Sequence, residues 1–414
     1  MRNVLSVVIV SLLLAACGPK SDQISQDANV LATLVQQGVE QTVAAASPTP
    51  EPTFTPQPTA TARPVKKIGV ISSDFHLYTI NTDGSSLNRM TSNENLEGTY
   101  DISSDGQWVA YETNVETENS ADIYIMRFDG SEAHKLVAHS QNDFNPAWSP
   151  DGSQLLFMSD MTSNGHDRDI FVVNADGSGL FNLSASSNFD VEPVWSPDGT
   201  RIAFRSGKFM SDEELANFVG SSSQTSIVVK DITSGGTVYL PMPEGLGSPS
   251  YPQWSPDGNQ ITFNCAGLLE KPDEVDVFTT YQGLCFAMAD GSYSKVLYTA
   301  EWSMNAGAPN YKADATWTPD GSRITFVGLL EDGVTSEIFT MNPDGSEIQQ
   351  ITTSTTQLKM EPAWSKDGSM LLFMDSYGPL LRRNFTVYAV YADGSGLTLL
   401  YERSRQPPMP KWVD

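Results

Sequence analysis

The sequence predicts an all-β fold, a seven-bladed β-propeller, and three observations lead to this prediction. A tryptophan-led turn motif, WSPDG, recurs along the chain, and a second turn motif, DGS, alternates with it. The commonest spacing between copies is about 47 residues, which lies in the range of propeller repeats. Glycine, proline and aromatic residues are plentiful, and long helical patterns are nearly absent.

The first 66 residues are predicted to be an export signal and a stalk. Residues 1–16 combine a charged start with a short apolar run, as signal peptides do. The segment Leu14-Ala15-Ala16-Cys17 resembles the lipobox of bacterial lipoproteins, which implies that Cys17 carries a diacylglyceryl anchor. An ordinary secretory signal with an incidental cysteine is the alternative.

Residues 17–66 are therefore expected to hold the lipid anchor site and a flexible stalk. Proline stands at nearly every second or third position of residues 47–64, and repeated proline favours an extended chain over packed structure. Such a chain would be exported and anchored to a membrane, facing the periplasm or the cell exterior.

The propeller is predicted over residues 67–414. The first-strand motif and its near copies occur at Ile102–Gly106, Trp148–Gly152, Trp195–Gly199, Trp254–Gly258, Trp317–Gly321 and Trp364–Gly368. The DGS turns begin at Asp83, Asp129, Asp176, Asp290, Asp344 and Asp393, with a degenerate copy at Ser234–Gly236. Asp-Gly between apolar runs is a strong hairpin signal, so each unit should form four antiparallel strands.

The number of motifs predicts how the ring closes. Seven last strands occur, but only six first-strand motifs lie between them. Residues 410–414 contain Trp412, which is in register with the repeat about one period after Trp364. We therefore expect the C-terminal strand to become the innermost strand of blade one, which would remove open sheet edges.

Two residue types recur in every unit, and each has two interpretations. The tryptophans could stack on a ligand, but packing between blades is favoured because every blade must pack against its neighbours. The turn aspartates could bind calcium, but capping of local amides is favoured because no loop has the spacing of a calcium motif.

The repeats resemble the TolB-type propeller family, whose recurring unit is WSPDG followed by IYxMNxDGSxxxxLT. Residues Asp122–Ser131 and Ile338–Ser346 are close copies of the second part. The resemblance covers residues 67–414 and implies a propeller that binds partners in the cell envelope. This chain departs from TolB itself, which resembles a six-bladed propeller behind a small α/β domain.

Propeller geometry assigns the WSPDG and DGS turns to one face, here called the first face. Loops between the second and third strands, and links between blades, lie on the opposite, second face. The large insertions all fall there, at Ser206–Ser226, Ala266–Gly283 and Thr299–Ala313, and blade seven adds polar residues. The predicted ligand-binding residues of the second face are Phe209, Phe218, Phe278, Tyr281, Trp302, Tyr311, Tyr377, Arg382 and Arg383.

No enzyme motif stands out. The sequence lacks GxSxG, HExxH, CxxC and a glycine-rich phosphate loop. His76, His139 and His166 fall on second-face loops and are weak candidates for a metal site, as in the propeller polysaccharide lyases that this fold also resembles. No cofactor is expected, and a divalent metal is the alternative.

The function predicted is therefore a binding module of the cell envelope that recognises a protein or a glycan. A metal-dependent polysaccharide lyase and a structural subunit of an envelope assembly are the alternatives. The net charge of −26 disfavours nucleic acid as a partner.

The two remaining cysteines predict a disulfide. Cys265 ends the predicted second strand of blade five, and Cys285 begins the third. Alignment on the other blades places them opposite each other or one position apart, within the roughly 7 Å that a disulfide allows between Cα atoms. An exported protein can keep such a bond, and two free buried thiols are the alternative.

Overall fold

The computed structural model describes thirteen ranges of the chain. They are residues 65–72, 75–91, 98–113, 121–137, 142–161, 168–207, 225–270, 278–302, 313–330, 335–353, 358–377, 384–404 and 410–413. Within these ranges the backbone forms seven four-stranded antiparallel sheets, which are the blades of a propeller. The predicted fold class is confirmed. The predicted signal peptide, Cys17 and the predicted stalk up to residue 64 lie outside the described residues. Lys66, which was expected to belong to the stalk, instead accepts a hydrogen bond from the Thr82 amide at 2.9 Å and so joins blade one.

The strands are numbered in chain order. They are β1 (Lys67–Ile71), β2 (Leu77–Asn81), β3 (Asn88–Arg89), β4 (Tyr100–Ile102), β5 (Trp108–Thr113), β6 (Asp122–Arg127), β7 (His134–Lys135), β8 (Asp143–Trp148), β9 (Gln154–Ser159), β10 (Asp169–Asn174), β11 (Phe181–Asn182), β12 (Phe189–Trp195), β13 (Arg201–Gly207), β14 (Thr225–Asp231), β15 (Thr237–Tyr239), β16 (Gly247–Trp254), β17 (Gln260–Glu270), β18 (Phe278–Met288), β19 (Ser294–Trp302), β20 (Ala315–Trp317), β21 (Ile324–Leu329), β22 (Ser336–Met341), β23 (Gln349–Gln350), β24 (Leu358–Trp364), β25 (Met370–Tyr377), β26 (Asn384–Tyr391), β27 (Thr398–Ser404) and β28 (Lys411–Trp412). Blades two to seven each take four consecutive strands, from β4–β7 to β24–β27. No helix long and apolar enough to cross a membrane occurs in the described part of the chain.

Blade one is closed by the C-terminal strand, as the repeat count predicts. Its sheet order is β28-β1-β2-β3, with Trp412 opposite Ile68 in the antiparallel ladder. The Val413 amide also donates to the Lys67 carbonyl at 3.1 Å. The Trp412 indole nitrogen donates to the Ala363 carbonyl of blade seven at 3.0 Å, so one residue ties the first blade to the last.

The blades pack through apolar clusters that span neighbouring sheets. One cluster joins Leu156 of blade three to Ile202 of blade four, and another joins Ile68 to Leu372 across the closure. Because both faces of each sheet meet a neighbouring blade, the middle strands are apolar on both sides rather than alternating. Buried apolar area distributed around the ring is the main source of stability.

The tryptophans sit in these inter-blade grooves. The Trp195 indole nitrogen donates to the Ala147 carbonyl of blade three at 3.1 Å, and that of Trp254 donates to the Val194 carbonyl of blade four at 3.3 Å. The repeated tryptophan is therefore explained by packing between blades, as favoured from the sequence.

The turns use the residues that their geometry requires. In the WSPDG turn of blade three the Gly152 amide donates to the Ser149 carbonyl, and Gly152 has a φ of 70°. In the DGS turn of blade two Gly130 has a φ of 83°, and a Cβ added there would lie 2.5 Å from the Met90 carbonyl oxygen. Only glycine meets both demands at that position.

Candidate functional site

The first-face aspartates cap their own turns. In the DGS turn of blade one, Asp83 accepts a hydrogen bond from the Ser85 amide at 2.9 Å and a second from the Ser85 hydroxyl. The serine hydroxyl and amide lower the pKa of the Asp83 carboxyl. In the WSPDG turn of blade four the Ser196 hydroxyl lowers the pKa of Asp198 to about 2. These carboxylates are structural, which matches the interpretation favoured from the sequence.

On the second face, a buried carboxylate joins the third and fourth strands of several blades. In blade three the Ser184 hydroxyl accepts from the Ile170 amide at 2.9 Å and donates to Asp169 at 3.1 Å. In blade six Thr352 accepts from the Ile338 amide at 3.0 Å and donates to Glu337. We call this arrangement the strand clasp. It explains the acidic residue at the first or second position of the third strand.

His76 occupies the clasp position of blade one. Its Nδ1 lies 3.2 Å from the Thr91 hydroxyl, which also accepts from the Leu77 amide at 3.1 Å. Its Nε2 lies 2.7 Å from Arg89 Nη2. A guanidinium can only donate, so Nε2 accepts and Nδ1 carries the proton. Both ring nitrogens therefore serve the clasp.

The other metal candidates, His139 and His166, lie outside the described residues. Within the ranges that are described, no group of three or more histidine, cysteine, aspartate or glutamate side chains is placed to hold a metal ion.

Blade five is the most distinctive part of the second face. β17 and β18 each have 11 residues and β19 has nine, whereas the described strands of the other blades have at most eight. The ladder between β17 and β18 runs without interruption to Glu270 opposite Phe278. At about 3.3 Å per residue, the five pairs beyond Cys265 carry this hairpin roughly 16 Å past it.

The structure corrects two expectations about this region. Residues 266–283 were expected to be a loop, and the link to blade six was expected to begin at Thr299. Instead, 266–270 pair with 278–282, and β19 continues to Trp302. The hairpin can extend because its partner strands satisfy each other's backbone groups, and Thr279 and Thr280 favour strand conformation.

The disulfide lies at the base of the extended hairpin. Cys265 and Cys285 are bonded, with their Cα atoms 5.9 Å apart, and both are buried. The expectation that they lie opposite or one position apart was wrong. Cys265 is opposite Gly283 and Cys285 is opposite Phe263, so the cysteines are offset by two positions and share one face of the sheet.

The remaining predicted binding residues are located only in part. Positions 278 and 302 lie on one face of the extended sheet, because residue 302 pairs with residue 280 and alternate positions share a face. Position 281 lies on the other face, and Tyr377 is the last residue of β25. Phe209, Phe218, Tyr311, Arg382 and Arg383 lie outside the described residues.

A set of bulges in the inner strands was not foreseen. Four residues with positive φ, between 50° and 60°, each precede a proline that stands two positions before the tryptophan: Asn145, Glu192, Tyr251 and Glu361. The ladder shifts register at each of these sites, because proline has no amide hydrogen to donate. The pattern X-Pro-x-Trp is the signal that could have predicted them.

The bulges turn backbone amides toward carboxylates of the preceding blade. The Tyr251 amide donates to Glu192 at 2.7 Å, and Arg205 pairs with the other Glu192 oxygen at 3.0 Å. The Glu361 amide donates to Asp314 at 3.3 Å. These contacts tie the bulges of blades five and seven to side chains of the blades before them.

Asp190, at the junction of blades three and four, is fully buried. Burial raises the pKa of its carboxyl, and the nearby Asp169 carboxylate raises it further. The Ser186 hydroxyl donates to one Asp190 oxygen at 2.8 Å, and its amide donates to Asp169 at 3.2 Å. Ser186 therefore bridges two carboxyl groups that belong to different blades.

Comparison with known proteins supports the fold. No protein-family model matches the chain. An uncharacterised protein of Agrobacterium fabrum is 29% identical over 91 residues, which are 22% of this chain and 30% of that protein.

Three solved structures illustrate the likeness. An oligogalacturonate lyase from Vibrio parahaemolyticus has a TM-score of 0.51 at 15% identity, covering 81% of this chain and 84% of that one. A puromycin-hydrolysing peptidase from Mycobacterium tuberculosis has a TM-score of 0.53 at 14% identity, and the 80% of this chain that aligns spans about half (51%) of the peptidase. A putative TolB from Agrobacterium tumefaciens has a TM-score of 0.42 at 15% identity, covering 82% and 90%. At these identities the feature that this chain shares with known structures is the β-propeller fold.

Proposed function

We propose that this chain is a binding module of the cell envelope that recognises a protein or a glycan through its second face. A lipid on Cys17 would anchor it, with residues 17–64 as a stalk, to the outer side of the membrane across which it is exported. No cofactor is needed for such a role. The observation that carries the proposal is the extended hairpin of blade five, braced by a disulfide on the face with the long connections.

The extended hairpin of blade five, with a disulfide at its base, is suited to binding a partner. The hairpin loses its conformational freedom when the protein folds. Binding to this already ordered surface therefore costs less entropy than ordering a flexible loop would. The bond between Cys265 and Cys285 fixes the point where the hairpin leaves the ring. First-face connections are short turns that cap themselves, so they offer little adaptable surface.

The central experiment shortens the hairpin and leaves its base intact. Gly267 is opposite Tyr281, so replacing residues 268–280 with Asn-Gly would close the strands with a two-residue turn. Photo-cross-linking in the native envelope, followed by quantitative mass spectrometry, should show cross-linked partners lost from this variant. Periodate treatment of the envelope would distinguish a glycan from a protein partner.

A surface variant on the outer edge of blade three provides the matched control. Phe181 on the outer strand of blade three is 59% exposed, so Phe181→Ser should fold and keep the cross-links. Cross-linking of the shortened variant at the level of the parent chain would contradict the proposal.

The anchor has a separate test. Cys17→Ser should move the protein from the membrane fraction to the soluble fraction of the envelope, because its acyl chains supply the membrane affinity. Sedimentation of Cys17→Ser with membranes after a salt wash would place the anchor elsewhere.

A further inference from the structure

The groove between blades six and seven holds an open cavity of about 540 Å³ on the first face, away from the blade-five hairpin. Trp364 lines it, together with the turn that contains Gly368. The same repeat positions in the groove between blades four and five are Trp254 and Gly258, and there the space is filled by the protein itself. The two grooves therefore form a natural comparison.

An arginine fills the groove between blades four and five. The Arg201 guanidinium carbon lies 4.9 Å from the centre of the Trp254 ring, in a cation–π contact. Its Nη2 donates to the Gly258 carbonyl at 2.7 Å. Trp254 is 8% exposed.

The matching arginine of blade six points elsewhere. Arg323 follows Trp317 by as many residues as Arg201 follows Trp195. It donates within its own blade, to the Thr340 hydroxyl at 3.1 Å and to the Glu347 carbonyl at 2.7 Å.

The two arginines differ in a nearby residue on the adjacent third strand of the blade. Thr340 pairs with Thr325, and the equivalent pair in blade four is Val229 with Ala203. Valine offers no acceptor, so Arg201 reaches across the groove, whereas Arg323 is held back by the Thr340 hydroxyl. Trp364 instead lines the cavity, and its indole nitrogen donates to the Thr325 hydroxyl at 2.9 Å.

The polar lining of the cavity carries both signs of charge. Arg323 and Lys366 are cationic, Asp320 and Asp367 are anionic, and Lys66 lies 2.9 Å from Asp367. An ion of either sign would meet like charge in this lining.

A neutral ligand rich in hydroxyl groups would not meet that repulsion. Such a ligand could use the carboxylates as acceptors, Lys366 as a donor, and the neutral groups of Ser322 and Gln349 as both. An aromatic face with a few convergent polar groups is the usual composition of a small-molecule site.

We propose that this cavity binds a neutral saccharide, with one sugar ring stacked on the indole of Trp364. The C–H face of the sugar would take the place that the guanidinium occupies on Trp254, and its hydroxyl groups would bond to the polar lining. This site is independent of the second face, so either proposal can fail without the other.

The test uses the full chain labelled with ¹⁵N-tryptophan. Its eight indole N–H resonances are few enough to assign by single substitutions, with Trp364→Phe identifying the one of interest. Maltose, lactose, cellobiose and diacetylchitobiose would each be titrated to about 20 mM, and agmatine would serve as an organic cation. At least one disaccharide should shift the Trp364 resonance saturably.

Two variants locate the binding. Trp364→Ala should weaken it at least tenfold. Lys366→Pro inserts the residue that four of the five other turns have at this position, so it should fold normally and weaken binding several-fold. Absence of any response to the four disaccharides overturns the proposal, as does a response to agmatine alone. Undiminished saccharide binding by both variants would also overturn it.

Discussion

The closure of the ring gives the sharpest test of the fold. Trp412→Ala removes an indole that packs with Ile68 and Leu372 and donates to the Ala363 carbonyl. These contacts join blade one to blade seven, the place where the chain's two ends meet in the propeller. Loss of the indole should therefore destabilise the packing between blade one and blade seven.

The magnitude follows from burial. Truncating a buried aromatic residue to alanine costs about 3–5 kcal/mol, and Trp412, which is partly exposed, belongs near the lower end. About 1 kcal/mol of that comes from the indole hydrogen bond. With an unfolding entropy of roughly 2.1 cal/mol/K per residue, a loss of about 3 kcal/mol from a ring of about 350 residues lowers the Tm by roughly 4 °C.

Calorimetry on the purified chain would measure this shift, with Lys411→Ala as the matched control. Lys411 is the neighbouring residue on the same strand, but it is exposed and its ion pair with Asp101 is 3.4 Å long at a partly solvated site. Exposed pairs contribute about 0–1 kcal/mol, so the control should lower the Tm by about 1 °C or less. Equal Tm values for Trp412→Ala and the parent chain would refute the closure argument.

Three further outcomes are expected. Replacing Cys265 and Cys285 together by serine should cost about 3 kcal/mol, because the bond closes a segment with a sequence separation of 20 residues; alkylation of both thiols in the unfolded, unreduced parent chain would exclude the bond. Gly130→Ala should lower the urea midpoint more than Gly235→Ala, since both glycines have positive φ but only at Gly130 would an added Cβ meet a carbonyl oxygen at 2.5 Å; equal midpoints would count against this. Asp190→Asn should stabilise the protein more at about pH 7 than at about pH 4. Burial raises the pKa of this carboxyl in the folded state, so its contribution is fully present below the unfolded pKa and is lost as the pH rises through the folded one; a gain that does not grow with pH would contradict the assignment.

The blade number, the closing strand and the turns could be predicted because local chemistry specifies them. Asp and Gly in a DGS turn satisfy neighbouring amides and a positive φ without reference to the rest of the chain. The position of Trp412 in the repeat was sufficient to predict its partner strand.

The features that escaped prediction depend on residues far apart in the chain. Arg323 is held within its own blade by hydrogen bonds to Thr340, Asn342 and Glu347, and no turn motif indicates these contacts. β17 extends to Glu270 because β18 pairs with it along its whole length. The sequence of residues 266–283 does not by itself distinguish such a hairpin from a loop. The bulges did leave a local signal, the X-Pro-x-Trp pattern, which follows from the missing amide of proline.

Blade seven shows how departures from a repeat can be sorted into packing and function. Blade three pairs Asp143 with Ser159 at the start of its inner strand, whereas blade seven pairs Lys359 with Asp375. Both residues of the second pair are buried and their charged groups lie 3.1 Å apart, so the two changes compensate each other inside the protein. The second lysine of this blade that departs from the repeat, Lys366, instead borders an open cavity beside a tryptophan face. A change that is balanced within the core is explained by packing, and one that borders empty space is where a ligand should be sought.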